Sequence, residues 1–294
     1  MKSAPIGVIG LGIMGSAIAA NLARAGHRVF GYDLAPAPRA ALKKAGGTPC
    51  ASVAEVARSA HVILTSLPSA EALHAVAKDL KGRCVVVETS TLPIDDKLRA
   101  RDALRKNGGT LLDCPLSGTG AQAKVKDLVV LASGDEKSFK EIEPFLKGFS
   151  RSHYFLGEFG NGSKMKFVAN LLVAIHNVSA AEAFALGAKS GLSQEMIFKV
   201  ISDGAGASRM FQVRGPQMVA GDYSDATMKV EVWQKDMKII GEYAAKLGVA
   251  TPLFNASGAI YNAAMAQGFA KQDTAAVCAV LERLAGIKRG KKHG

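Results

Sequence analysis

Gly10-Leu11-Gly12-Ile13-Met14-Gly15 follows the apolar run Pro5–Ile9 and leads into a helix-like stretch from Ser16 to Ala25. G-x-G-x-x-G between a strand and a helix suits a pyrophosphate. The first glycine permits the tight turn, the second lets the anion reach the backbone, and the third lets helix pack on strand, with the helix N-terminus facing the negative charge. Gly10, Leu11, Gly12, Ile13, Met14 and Gly15 are therefore candidate cofactor contacts. The second strand, Arg28–Tyr32, ends at Asp33, 18 residues beyond Gly15, where a carboxylate can bind the adenosine ribose hydroxyls. That carboxylate opposes a 2′-phosphate, so NAD is the expected cofactor; Arg39, six residues on, leaves NADP open.

A second cluster, Gly118-Thr119-Gly120 followed by Ala123, mimics the same pattern after the strand ending at Cys114. Neither a long helix nor a strand-end acid completes the unit, so a role other than pyrophosphate binding is expected there. Ser117 has no histidine base beside it, which argues against nucleophilic catalysis. His61, His74, His153 and His176 never meet Cys or acidic residues at metal spacing, and no metal site is expected. Cysteines 50, 84, 114 and 278 are too scattered for a disulfide framework, which points to a reducing cytoplasm.

These residues need elements to hold them. From Pro5 to Phe155 short apolar runs (Arg28–Tyr32, Val62–Leu67, Val85–Glu88, Thr110–Cys114, Leu128–Ala132, Ser152–Phe155) alternate with helical stretches such as Val53–Arg58, Ile94–Lys106 and Lys137–Leu146. Such alternation predicts an α/β domain, a Rossmann-type parallel sheet doubly wound by helices, over residues 1–163. From Lys164 to Ser190 an Ala, Leu, Val and Met pattern with sparse charge and no proline predicts one long helix of about 40 Å. Only helical periods follow. Turn signals stand at Asp203-Gly204, Gly221-Asp222 and Thr251-Pro252. An all-helical C-terminal domain over 164–294, joined by the long interdomain helix 164–190, is the expectation.

The 294 residues are 48% hydrophobic and 21% charged, which excludes a disordered or fibrous chain. Neither a membrane-spanning run nor a signal-peptide architecture is read from the sequence. Lys288, Arg289, Lys291 and Lys292 supply four positive charges; taking them from the net +12 leaves +8 spread along the chain. That distribution suits an enzyme for anionic ligands at least as well as a nucleic-acid binder, and nucleic acid is not the expected partner. The basic tail 288–294 is expected to be a solvated terminus whose removal leaves turnover unchanged.

With its glycine loop, Asp113-Cys114-Pro115-Leu116-Ser117-Gly118-Thr119, Gly160-Asn161-Gly162-Ser163-Lys164-Met165-Lys166 through Asn170, and Lys235-Asp236, nearly the whole chain resembles the β-hydroxyacid dehydrogenase family. That family includes the 3-hydroxyisobutyrate dehydrogenases and tartronate semialdehyde reductases. The resemblance implies a Rossmann domain and a helical domain that mediates homodimers or homotetramers. It also implies Lys166 as catalytic residue, Ser117, Gly118 and Thr119 as binders of the substrate carboxylate, and Asn170 and Lys235 as substrate contacts. Leu67-Pro68 and Ser90-Thr91, with Lys235, are implied to meet the cofactor. Thr119 departs from the second glycine of the family's D-x-P-V-S-G-G loop, and Lys126 stands where a glycine is usual. Both changes restrict backbone freedom and add bulk, so the substrate pocket differs from that of the best-known members.

Oxidising an alcohol with a nicotinamide cofactor needs one positioned acid/base besides hydride removal. A free lysine of pKa about 10.4 is only about 0.1% neutral near pH 7.4, so Lys166 as a base requires burial and positive neighbours, with Lys235 and the nicotinamide as sources of that push. Asn170, four residues on, shares its helix face. Lys164 and Lys126 read as solvated charges; Arg209 and Arg214 read either as a clamp on a second substrate group or as helix-surface arginines. The expected function is oxidation of a small β-hydroxyacid of three-to-five-carbon size: 3-hydroxyisobutyrate-like, hydroxypropionate- or serine-like, or a sugar acid. The alternatives are an NADPH-dependent glyoxylate/succinic semialdehyde reductase, disfavoured because such enzymes usually carry Asn-Arg where Asp33-Leu34 stands, and a non-catalytic dinucleotide-binding scaffold.

Overall fold

A computed structural model describes residues 4–289. The chain divides between Lys166 and Phe167 into two compact units. The first opens with β1 (Pro5–Ile9), α1 (Ile13–Arg24), β2 (Arg28–Tyr32), α2 (Pro36–Lys44), β3 (Thr48–Pro49) and α3 (Val53–Ser59). It continues with β4 (Val62–Thr65), α4 (Ala70–Asp79), β5 (Val85–Glu88), α5 (Ile94–Lys106) and β6 (Thr110–Asp113). Six parallel strands lie in the order β3-β2-β1-β4-β5-β6. The order reverses between β1 and β4, and ligands of such sheets bind beyond the strand C-termini at that reversal.

Strands β4 and β5 are buried on both faces, which is why each reads as three consecutive apolar residues before its polar end at Thr65 or Glu88. Alternate side chains feed two cores. Val8, Leu64 and Leu112 pack with Ile18 and Leu22 on one face, while Ile9, Ile63 and Leu111 pack with Val56, Leu73 and Leu104 on the other.

The remaining strands of this unit depart from the expected continuous sheet. β7 (Leu116–Ser117), β8 (Val129–Ala132) and β9 (Ser152–Phe155) form a separate three-stranded sheet, with α6 (Gly120–Lys124) and α7 (Glu136–Phe149) between them. β7 is antiparallel to β8, and β8 is parallel to β9. The break falls at Pro115, which has no N–H with which to continue the β6 ladder. Its carbonyl accepts instead from Leu131 N at 3.0 Å, and Asp113 exchanges an antiparallel pair of bonds with Ser133 at 3.0 and 2.8 Å.

The long helix α8 spans Asn161–Lys189. Among the described residues it is the one helix long and apolar enough to cross a membrane, by length and composition alone. The second unit then contains α9 (Gln194–Ser202), α10 (Arg209–Ala220), α11 (Val230–Lys246), α12 (Pro252–Ala266), a 3₁₀ turn at Thr274–Ala276 and α13 (Val277–Leu284). Ser193 and Ser208 cap α9 and α10 through Met196 N and Phe211 N, Gly221 ends α10 at φ 66°, and Pro252 starts α12. The core stacks Phe184 on Phe211 at 5.2 Å and sets Trp233 against Tyr261.

Arg214 is neither a surface arginine nor a substrate clamp. It is buried and paired with Asp273, whose carboxylate also accepts from Thr227, Met228 and Ala275 N–H groups. Arg209, by contrast, is exposed.

Arg289 likewise overturns the expectation of a wholly solvated basic tail; residues 290–294 lie outside the described residues. Its guanidinium forks onto buried Glu282 at 2.7 to 3.1 Å and donates to the carbonyls of Met218 and Val219 at the end of α10. Truncation after Ile287 therefore leaves a buried carboxylate unpaired and is expected to cost about 3 kcal/mol. Truncation after Arg289 leaves the melting temperature at the full-length value. Thermal unfolding of the two proteins checks the difference.

Candidate active site

The dinucleotide loop is built by steric exclusion. Gly10 has φ 86°, and a Cβ there would stand 2.2 Å from the Ser66 carbonyl oxygen. A Cβ on Gly15 would stand 1.9 Å from the Gly10 oxygen. Gly12 is different: a Cβ added to it meets nothing within 4 Å, so its neighbourhood is open to a ligand. Gly12 is also the N-cap of α1 and has no side chain to occupy the helix's first N–H groups. α1 begins at Ile13, inside the motif, whereas the sequence pattern placed its start at Ser16.

Asp33 is fixed beside this loop. Its Oδ2 accepts from Leu11 N at 2.7 Å and its Oδ1 from Ala35 N at 2.9 Å. Open space at Gly12, uncapped helix N–H groups and a held carboxylate at the end of β2 fit a dinucleotide. Ile13 is exposed on the loop and Met14 is partly buried. The Leu67-Pro68 and Ser90-Thr91 segments follow β4 and β5 and are tied together, with Leu67 N donating to Ser90 Oγ at 2.8 Å. Buried Glu88 accepts from Thr65 Oγ1 and, at 2.6 Å, from Ser90 N.

The 117–119 loop lies after β6. Ser117 is half-buried in β7, and Gly118 takes φ 133°. Thr119 is spent locally: with Gln122 it forms a capping box at the start of α6. Gln122 passes the tie to Asp127 at 2.9 Å, and Arg151 holds Asp127 at 2.8 Å. Lys126 has φ 62°, a left-handed conformation that costs a lysine roughly 1 kcal/mol relative to glycine. The second glycine cluster thus forms a short cap around α6, without the long helix of a dinucleotide unit.

Lys166 and Asn170 are one turn apart on α8, and both are buried, at 8% and 5% exposure. Asn170 Nδ2 donates to Asp236 Oδ2 at 2.9 Å, which fixes the amide and leaves its oxygen and one N–H for another partner. Lys235 Nζ stands 4.0 Å from Asp236 Oδ1. Lys164 is exposed and donates to Asn161 Oδ1 at 3.0 Å, as a solvated charge should.

One residue of this region was missed from sequence: Lys97, buried in α5 and paired with Asp113 Oδ1 at 2.8 Å. A signal existed, because Lys97, Ala100 and Leu104 fall on one helix face, and a lysine on an apolar face has to find a carboxylate. Among the described residues no group of His, Cys, Asp and Glu could hold a metal.

Residues 5–157 match the family model for the NAD binding domain of 6-phosphogluconate dehydrogenase. Residues 160–281 match the model described as NAD-binding of NADP-dependent 3-hydroxyisobutyrate dehydrogenase. The chain is 33% identical to L-threonate dehydrogenase of Cupriavidus necator, over 92% of this chain and 94% of that protein. The crystal structure of 3-hydroxyisobutyrate dehydrogenase from Salmonella typhimurium has a TM-score of 0.85 at 30% identity, covering 95% of this chain and all of that one. A Mycobacterium tuberculosis 3-hydroxyisobutyrate dehydrogenase with L-serine also gives a TM-score of 0.85, at 27% identity, with 95% of this chain and 99% of that one covered. Matched in both halves and related over nearly its full length, the chain belongs to the β-hydroxyacid dehydrogenase family and is an NAD(P)-dependent oxidoreductase acting on a CH–OH group.

Proposed function

We propose that the chain oxidises a small β-hydroxyacid with NAD, using Lys166 as its acid/base. The observation that carries this is the burial of Lys166 and Asn170 one turn apart on α8, within the half of the chain that matches the model described for 3-hydroxyisobutyrate dehydrogenase. When bound, the nicotinamide supplies the hydride acceptor. The chain's own residues then handle the rest of the alcohol. Neutral Lys166 Nζ takes the hydroxyl proton during oxidation, and the ammonium returns one in the reverse reduction. Asn170, held by Asp236, presents its amide to the substrate oxygen. The Ser117 hydroxyl and the Gly118 backbone receive the carboxylate, and Thr119 shapes their loop from its cap on α6. Lys235, at the end of the same Asp236 tie, adds positive charge for the substrate and cofactor. Leu67, Pro68 and Thr91 line the cofactor.

Small hydroxyacids and semialdehydes are the substrate classes named for the relatives. L-threonate is the first acid to test, because several relatives carry that name, and L-serine and 3-hydroxyisobutyrate follow from the two related structures. Assays of these acids with NAD and NADP at alkaline pH test the proposal; failure of every short β-hydroxyacid to reduce either cofactor rejects it.

NAD is the proposed cofactor on the strength of the Asp33 carboxylate. Asp33→Ser is expected to narrow the ratio of kcat/KM for NAD over NADP by about tenfold, equivalent to about 1.4 kcal/mol. A wild-type preference for NADP contradicts this assignment and points to Arg39.

A homodimer or homotetramer is proposed as the working form. Val168, Leu172 and Leu186 form an exposed apolar stripe along α8, which a second copy can cover. Light scattering that returns the mass of one chain rejects it. The cytoplasm is the proposed compartment, all four cysteines being free and buried.

A further inference from the structure

We infer that the buried ion pair Lys97–Asp113 positions Lys166 by capping and anchoring the first turn of α8, a role that rests on the proposed acid/base function of Lys166. Both side chains are 0% exposed. Such a pair persists only when the remaining lone pairs are satisfied, and here they are. Oδ1 of Asp113 accepts from Lys97 Nζ at 2.8 Å and Ser163 Oγ at 2.8 Å; Oδ2 accepts from Ser163 N at 2.7 Å and Ser133 Oγ at 3.3 Å.

The geometry makes Asp113 an N-terminal cap for α8 delivered from β6. α8 has no acidic residue in its own first turn, and its first N–H groups, which have no partner within the helix, favour a carboxylate. Ser133 completes the anchor by accepting from Gly162 N at 2.9 Å. Gly162 lies so close to the strands that a Cβ there would stand 2.3 Å from the Leu131 oxygen and 2.7 Å from the Asp113 oxygen. The helix start therefore rests directly on β6 and β8. Lys166 follows Ser163 by three residues and shares its helix face. Any slip of that turn moves the Lys166 ammonium by the same amount.

A hydrophobic pair of similar volume often stabilises a fold as well as a buried ion pair does. Stability alone therefore does not account for two buried charges here. Their directional bonds fix the rotation and rise of the first turn of α8, which apolar contacts do loosely. Misplacing a reacting group by about 1 Å costs as much as 10²-fold in rate.

The test uses Lys97→Met, Lys97→Arg and Ser163→Ala in the full-length enzyme, with kcat, KM, NAD affinity and melting temperature measured for each. Lys97→Met is expected to lower kcat by about 10- to 100-fold with KM and NAD affinity within about twofold of wild type. Lys97→Arg keeps the charge and restores most of kcat. Ser163→Ala retains both charges, so it stays folded even if Lys97→Met does not, and is expected to lower kcat by about 3- to 10-fold, the equivalent of one hydrogen bond. Wild-type kcat in Ser163→Ala overturns the inference, as does a loss in Lys97→Met matched by an equal loss of NAD affinity.

A double-mutant cycle separates this inference from the role of Lys166 itself. If the pair acts through Lys166, adding Lys97→Met or Ser163→Ala to Lys166→Ala lowers kcat no further. A full additive loss in the Lys166→Ala background overturns the positioning role and leaves the acid/base role standing. A normal kcat in Lys166→Ala alone removes the acid/base role, and the inference with it.

Discussion

Lys166→Ala lowers turnover by roughly 10²- to 10⁴-fold, the usual contribution of a positioned acid/base, while NAD affinity stays within about twofold. The comparison that gives this meaning is Lys164→Ala, which leaves turnover near wild type. The two lysines are two positions apart on α8, so they point to different sides of the helix. Lys164 is exposed and bonded to Asn161, whereas Lys166 is buried. The pH profile supplies a second reading. Oxidation requires the neutral amine, so the wild-type rate rises with pH as Lys166 loses its proton; reduction requires the ammonium and falls over the same range. The alanine variant lacks both limbs. Normal turnover by Lys166→Ala on the best substrate would falsify the acid/base assignment.

Gly15→Ala is expected to destabilise the first unit by about 3 kcal/mol or more and to abolish cofactor binding with it, as overpacking against a backbone atom requires. The added methyl would stand 1.9 Å from the Gly10 oxygen, and the Gly10 turn is itself held against Ser66. Gly12→Ala separates the two functions of the loop. Nothing lies within 4 Å of its added methyl, so the melting temperature holds. NAD affinity falls nonetheless, because the methyl occupies the space through which a pyrophosphate reaches the backbone. Thermal unfolding combined with NAD titration reads both variants. A Gly15→Ala protein that melts like wild type and binds NAD contradicts the steric account.

The parallel sheet and the glycine loop were legible because local chemistry dictates them: wholly buried strands have to be apolar, and three glycines at that spacing between a strand and a helix leave the backbone N–H groups open to a phosphate. The separate β7-β8-β9 sheet was not, because apolar runs reveal strands without revealing partners, and the reversal depends on Pro115 and the Asp113–Ser133 exchange. The start of α8 at Asn161 was similarly hidden. Its cap comes from Asp113, 50 residues upstream of Ser163, whereas cap patterns in sequence are local. Charged residues misled for a related reason. Arg214 read as a surface or ligand-binding arginine, Arg289 read as solvated and Lys97 was passed over, yet each is held by a carboxylate whose proximity only the tertiary fold creates. Lys166 and Asn170 were found through the motif resemblance, since spacing alone gives a shared face without burial.

The two bonds received by Asp33 bear on any attempt to engineer cofactor choice. Its carboxylate is also the acceptor for Leu11 N–H, inside the glycine loop, and for Ala35 N–H, at the entrance to α2. Alanine or glycine at this position would remove the charge but strand the buried Leu11 N–H and leave the exposed Ala35 N–H to water, so a redesign that tracks only the 2′-position would lose affinity for either cofactor. Asparagine or serine retains a side-chain oxygen for one of those donors. A useful switch therefore couples Asp33 to a second change that supplies the other acceptor, and libraries varying 33 together with 34 and 35 are better placed to find it than single substitutions.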